Sequence, residues 1–283
     1  MGPDARSRSR YRGECVTVKP FGSRRAPPSK HWGCVLAAAG VAAAVFLGSF
    51  TAYAQDDARA LVKQVLDAVP KMPLTAHATL TSDRGWAREL ALSRAFVNDA
   101  DASYLEVTAP LDLKDTRFLL LDRAEGRDEQ FIYVPAVKRA MQVSDETRKQ
   151  PFLGSDFYVS DMVRPELDAF TYRFVGEENI GDRRTRLVEA VPKNPQHELY
   201  GKTISAIDPT DLLVLRVQFF DPKGTLVKVW TLEKVEKLDG VWTPLVQRME
   251  SVQEKHESRL TLTDVKLNAQ IPPDTFSRTH LTR

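Results

Sequence analysis

Cysteine is almost missing from this 283-residue sequence: Cys15 and Cys34 both fall within the first 54 residues, and 55–283 has none. That excludes a disulfide framework, a thiolate zinc site, an iron–sulfur cluster and a cysteine nucleophile from the remainder. Glycine is sparse, at 14, and no Gly-x-Gly-x-x-Gly or phosphate-loop pattern occurs. Four histidines follow residue 54: His77, His197, His256 and His280. None is spaced i, i+4 from another, so a zinc helix is excluded and a solvated surface role is expected for each. An excess of positive charge is missing too. Residues 55–283 hold 32 Lys and Arg against 36 Asp and Glu, a net −4, which argues against a nucleic-acid binder. Gly154-Ser155 lacks the second glycine of a nucleophile elbow, and Asp156 and Asp161 read as surface carboxylates before a catalytic pair. No catalytic residue, metal site or cofactor is expected, and the chain does not read as an enzyme.

The first 54 residues have their own character. Eight basic residues from Arg6 to Lys30 precede an apolar run, Val35 to Phe50, which ends in Ala52-Tyr53-Ala54. A basic leader, an apolar stretch and a small-x-small triplet describe a secretory signal peptide, cleaved after Ala54. The run is short for spanning about 30 Å of hydrocarbon, which favours cleavage over an anchor. The expected organisation is a signal peptide at 1–54 and one exported, periplasmic domain at 55–283.

Past Asp56 and Asp57, Leu61, Val62, Val65, Leu66 and Val69 recur at helical spacing until Pro70. The period then falls to two. Strands are expected at 76–83, 86–97, 103–108, 116–122, 130–134, 139–143, 170–175, 184–191 and 202–207. A closing meander covers 212–220, 225–236, 241–251 and 258–268, with a charged helical stretch at Asp145–Gln150. In the last strand Leu260 and Leu262 share one parity and Val265 and Leu267 the other, which predicts a β-bulge near Thr263-Asp264. No strand alternates with a long helix, so a parallel α/β sheet is excluded. The fold class is mainly β with a few helices: a single curved antiparallel sheet, an incomplete β-barrel, with a helical lid. Two packed sheets remain open as an alternative.

Large apolar side chains on alternate strand positions are either ordinary core or the lining of a cavity for an acyl chain. The candidate lining residues are Leu90, Leu92, Phe96, Phe118, Leu120, Phe131 and Tyr133. Arg94, the odd member of its face, is a candidate for holding a lid or a lipid headgroup. The segment Phe152–Leu167 breaks the strand pattern and carries Phe152, Leu153, Phe157, Tyr158 and Met162, so it is expected to pack over the open end of the sheet.

Several motifs, taken in order, resemble the LolA-like, outer membrane lipoprotein-sorting family. They are Tyr133-Val134-Pro135-Ala136-Val137-Lys138-Arg139, Gly154-Ser155-Asp156-Phe157, Tyr200-Gly201-Lys202, Asp239-Gly240-Val241-Trp242-Thr243-Pro244 and Thr263-Asp264-Val265-Lys266-Leu267-Asn268. The resemblance implies an incomplete antiparallel barrel with a helical lid, an apolar cavity for lipid or lipoprotein acyl chains, and an early-strand arginine at the lid, to which Arg94 is the nearest match. It points to a periplasmic carrier serving an export system, with an inner-membrane transporter or an acceptor lipoprotein as partner. The alternative is a periplasmic sensor that binds envelope lipids and a membrane-anchored protein.

Overall fold

The structure is a computed structural model and describes residues 47–123, 128–196 and 198–283. Of the expected leader, residues 1–46 lie outside the described residues, as does His197. The first meander holds β1 (Leu74–Ser82), β2 (Trp86–Val97), β3 (Ala100–Ala109), β4 (Arg117–Arg123), β5 (Glu129–Val134) and β6 (Arg139–Gln142). The second holds β7 (Phe170–Ile180), β8 (Arg183–Pro192), β9 (Lys202–Asp208), β10 (Leu213–Phe220), β11 (Leu226–Leu238), β12 (Val241–Ser251) and β13 (His256–Leu267). Every strand pairs antiparallel with its sequence neighbour within its meander, and pairing of β1 with β13 joins the two into one 13-stranded sheet. Its edges, β6 and β7, do not pair with each other, so the barrel is incomplete. One cluster decides between a curled sheet and a sandwich: Leu80 of β1, Phe118 and Leu120 of β4 and Met249 of β12 pack with Phe219 of β10 and Trp230 of β11. Strands so far apart in one sheet share a core only if the sheet curls.

The turns follow local chemistry. Asn98-Asp99 and Asp239-Gly240 join their strands with both residues at positive φ, as two-residue hairpin loops require. The bulge in β13 is where parity predicts it: Thr75 pairs with Lys266 but His77 with Thr263, and Asp264 has φ of 52°. β7 runs past the expected residue 175 because its alternation ends at a register shift between Phe174 and Gly176 while the ladder continues through charged residues.

The first helix, α1 (Leu47–Asp67), starts well before the Asp56-Asp57 pair expected to open it and stops before Val69. No proline interrupts 47–55, so nothing in the backbone ends the helix there. The backbone of Ala52-Tyr53-Ala54 is thus helical. Ala58, Leu61, Val62 and Val65, at i, i+3, i+4 and i+7, lie on Tyr172, Val188 and Ile207. Among the described residues no helix is long and apolar enough to cross a membrane.

The outer face has a cover that periodicity did not announce. After β13 the chain folds back through a turn at Pro273–Phe276 and α2 (Arg278–Leu281), and sets Phe276 and Leu281 against Ala102, Tyr104, Leu119 and Phe131. The surface role expected of the histidines is corrected for three of them. His77 is half-buried in β1, and His280 meets Tyr104 edge-on at 5.3 Å. His256, on the inner-facing parity of β13, is only 16% exposed.

Gly201 explains its place in the Tyr200-Gly201-Lys202 motif. Its N–H donates to the Phe220 carbonyl at 2.8 Å, and a Cβ there would sit 2.7 Å from the Asp221 carbonyl oxygen and 2.8 Å from Pro222 Cα. Backbone cannot yield as a side chain can. Gly201→Ala is therefore expected to destabilise by about 1–3 kcal/mol, as overpacking does, read as a lower urea midpoint with unchanged slope.

Candidate functional site

Between β6 and β7 the chain crosses the inner face of the sheet, first as a tight loop and then as two short turns. Phe152 and Phe157 point into the core, and Phe152 packs on Phe118 with ring centroids 4.8 Å apart. The Phe152 N–H donates to the Phe157 carbonyl at 2.7 Å and Ser155 Oγ donates to the Phe152 carbonyl at 2.7 Å. Gly154, at φ of 78°, makes the left-handed corner between them. In Gly154-Ser155-Asp156-Phe157, then, glycine makes the turn, serine satisfies its carbonyl and Phe157 fills the core. Ser155 is thereby committed to the backbone.

Asp156 and Asp161 fix this loop to the second meander. The Asp156 N–H donates to Ser258 Oγ at 3.0 Å, and that hydroxyl donates to Asp156 Oδ2 at 2.6 Å. His256 Nδ1 lies 2.5 Å from the same carboxylate. Lys228 Nζ, on β11, donates to the Asp156 carbonyl at 2.6 Å, stands 3.7 Å from Asp161 Oδ2 and sits over the Tyr158 ring. Asp161 also accepts from the Tyr158 N–H at 2.8 Å and from Tyr200 Oη at 3.1 Å. Burial pushes the Asp161 carboxyl above its usual range and lowers the Lys228 ammonium to about 8, against the pull of Asp161 and Asp156. The two carboxylates are buried, not on the surface as their sequence spacing suggested, and they work as anchors. Serine and histidine meet at the Asp156 carboxylate and not at each other.

Arg94 holds the loop through an intermediary. Its Nε donates to Asp101 at 2.7 Å, and Asp101 also pairs with Arg164 of the crossing segment at 3.0 Å. Arg164 Nε donates in turn to Asp122 at 2.9 Å.

Beyond the loop, over the second meander, the inner face is not filled. A cavity of about 590 Å³ lies between α1, the crossing segment 160–170 and strands β7 to β12. Val65, Val188, Val217, Phe219, Trp230 and Met249 supply much of its wall. Arg148, Lys149, Arg164, Glu166 and Glu198 bring charge of both signs to it. Tyr172, 4% exposed, and Ser160 also line it, and their hydroxyls have no hydrogen-bond partner among the described residues. Burial pushes the Tyr172 phenol up to about 12, which keeps it a donor. A buried hydroxyl left without a partner costs about 1–3 kcal/mol.

None of the seven residues expected to line an acyl-chain cavity lines this one, nor does Arg94. Leu90, Phe118 and Leu120 are buried in the core that the Phe152–Phe157 loop plugs, with Leu92 packed against it. Phe131 and Tyr133 face the opposite side, against the C-terminal tail, because Phe131 pairs with Leu119 and shares its face. Phe96 is 37% exposed under Lys71. The crossing segment does cover the inner face. What sequence reading missed is Lys228, and Tyr200 entered it only as part of a motif. Lys228 did carry a signal: it is a lysine on the same parity as Leu226, Trp230 and Leu232.

The clamp should titrate. In the folded protein Lys228 titrates near 8, against 10.5 ordinarily. Between those values the unfolded chain holds more protons, so the stability this group contributes rises with pH across the window and is lost as pH falls through about 8. Removing the ammonium strands Asp161. Lys228→Met is expected to cost about 3–5 kcal/mol at pH 7, as breaking a buried pair does. The penalty should be smaller at pH 5, where Asp161 can take a proton, in urea titrations at both pH values.

A family model described as that of an uncharacterized protein matches residues 99–283. No curated protein matches the sequence. Among the solved structures that share the fold are the following three. A domain named for outer membrane lipoprotein sorting, from Vibrio parahaemolyticus, superposes with a TM-score of 0.75 at 22% identity, covering 81% of this chain and 100% of its own. A DUF1329 family protein from Desulfovibrio piger gives 0.75 at 22% identity over 81% and 99%. A LolA superfamily protein from Nitrosomonas europaea gives 0.60 at 16% identity over 79% and 98%. The family match spans more than half of the chain: the protein belongs to the family that this model of an uncharacterized protein describes, and it shares the fold of these three structures.

Proposed function

We propose that this protein is a periplasmic carrier that takes an acyl chain of a lipid or lipoprotein into the cavity between α1 and β7 to β12. One observation carries the reading: a largely apolar space of about 590 Å³ that the protein's own side chains leave open, beside a core they fill. That volume falls in the range of small-molecule sites. At about 0.8 kcal/mol per buried CH₂, a chain of roughly twelve methylenes gains about 10 kcal/mol before ordering costs. The crossing segment, held by polar contacts on both sides, is the part that moves for entry. The names of the Vibrio and Nitrosomonas proteins, for lipoprotein sorting and LolA, fit such a cargo.

The lipid-lining residues are then Val65, Val188, Val217, Phe219, Trp230 and Met249, and Arg94 supports the lid through Asp101 and Arg164. Two aspartate substitutions separate cavity from core. Val217→Asp, on a cavity wall, should weaken displacement of a fluorescent fatty acid at least tenfold with a modest fall in melting temperature, since the charge meets apolar space. Leu92→Asp, in the filled core, should unfold the protein. Equal behaviour of the two would refute the assignment.

The same reading places the mature N-terminus at Gln55, inside the backbone of α1. N-terminal sequencing of the exported protein should begin at Gln55, and recovery of an intact 1–54 segment in the membrane would overturn it.

A further inference from the structure

Among the described residues four cationic side chains border the cavity: Arg148, Lys149, Arg164 and Lys202. Two of them are committed to carboxylates of the sheet. Arg164 pairs with Asp101 at 3.0 Å and with Asp122 at 2.9 Å, and Lys202 Nζ donates to Glu189 at 3.0 Å. Arg148 and Lys149 are not so committed. They are consecutive in the chain, where the short helix Asp145–Arg148 leads into the crossing segment, and both are half-buried. The nearest carboxylate to Arg148 is Asp128, at 3.9 Å, beyond hydrogen-bond distance. Burial, and then the neighbouring Asp122, push the Asp128 carboxyl above its usual range, which weakens the charge it offers. Lys149 has no ion-pair partner among the described residues, and the carboxylate that senses it, Glu146, is exposed. Of the other carboxylates at the cavity, Asp161 is held by Lys228 and Tyr200, while Glu166 and Glu198 are exposed to water that screens them.

We propose that Arg148 and Lys149 bind the anionic end of the guest, a carboxylate or phosphate whose acyl chain lies in the cavity. This rests on the acyl-chain reading above and names the chemistry at the chain's polar end. A guanidinium fork matches two oxygens of a carboxylate or a phosphate, and an ammonium adds a compact charge beside it. Val188, Val217, Phe219 and Trp230 offer the chain its apolar wall. Half-buried cations act through a lower dielectric than fully solvated ones, so an anion gains more here than at an open surface. A fatty acid and a phospholipid both carry such an anion. The acylated end of a lipoprotein carries neither carboxylate nor phosphate, so the assignment favours a lipid as the cargo.

The test is a competition assay on the exported protein loaded with N-phenyl-1-naphthylamine, an uncharged fluorescent probe. One pair of competitors is a fatty acid and the fatty alcohol of equal chain length. The second pair is a lysophosphatidylglycerol and the 1-monoacylglycerol with the same chain. Wild type should prefer the anion to its neutral counterpart by about tenfold, as a charge-assisted hydrogen bond provides, and less in high salt. The ratio should fall in Lys149→Gln, survive in Lys149→Arg and vanish in Arg148→Gln with Lys149→Gln. Lys202→Gln, which removes a cavity cation already committed to Glu189, should leave the ratio in place. Preference within the first pair assigns a carboxylate and within the second a phosphate, and either supports the proposal. A ratio of one in both pairs in wild type overturns it, as does a ratio unchanged in the double variant or lowered as far by Lys202→Gln. Should thermal unfolding show the double variant unfolded, Lys149→Gln decides, and an unchanged ratio there overturns the proposal. If no competitor displaces the probe, the acyl-chain reading itself falls; if charged and neutral competitors do so equally, only the anion claim falls.

Discussion

A single buried ammonium group decides where the crossing segment lies. Lys228 Nζ reaches the Asp156 carbonyl and faces Asp161 and the Tyr158 ring from the floor of the sheet. Buried ion pairs seldom add stability over well-packed apolar groups of the same volume. Their geometry is strict, however, and here it fixes the segment that carries Phe152 and Phe157 to one position. Ser258 holds Asp156 from β13, with the His256 ring beside the same carboxylate, and Arg164 reaches Asp101 and Asp122 on the other meander.

From that placement follows the division of the inner face. Over the first meander the two phenylalanines complete a filled core with Leu90, Phe118 and Leu120. Over the second, the segment and α1 span the sheet without filling beneath, and the cavity is what remains. Under the proposed function this cover moves, and polar attachment suits that: carbonyl, carboxylate and ammonium groups that separate can be met by water, whereas exposing the Phe152–Phe157 core to water has no such compensation.

Much of the architecture was legible in the residues. Alternation located the strands, Asn98-Asp99 and Asp239-Gly240 marked hairpins, and the parity slip at Thr263-Asp264 located a bulge to the residue. The cavity was not legible, because period-two alternation says which side chains share a face and nothing about what packs on it. Leu92 and Val217 look alike in sequence; one is covered by the loop's plug and the other faces open space. Phe131 and Phe118 are equally apolar, yet they fall on opposite faces once Leu119 pairs with Phe131. The C-terminal tail over Phe131 could not be foreseen, since its partners lie more than a hundred residues away.

What the sequence determined by itself is local: most strand positions, the hairpin turns and the bulge in β13, and the anomaly of a charged residue on an apolar parity at Arg94. Which strands become neighbours, and which carboxylate that charge meets, was decided only by the tertiary structure. The physical reason is range. Backbone sterics and side-chain alternation act over a few residues, whereas the contact between Lys228 and Asp156 spans 72 positions and exists only after β1 and β13 have paired and the sheet has curled.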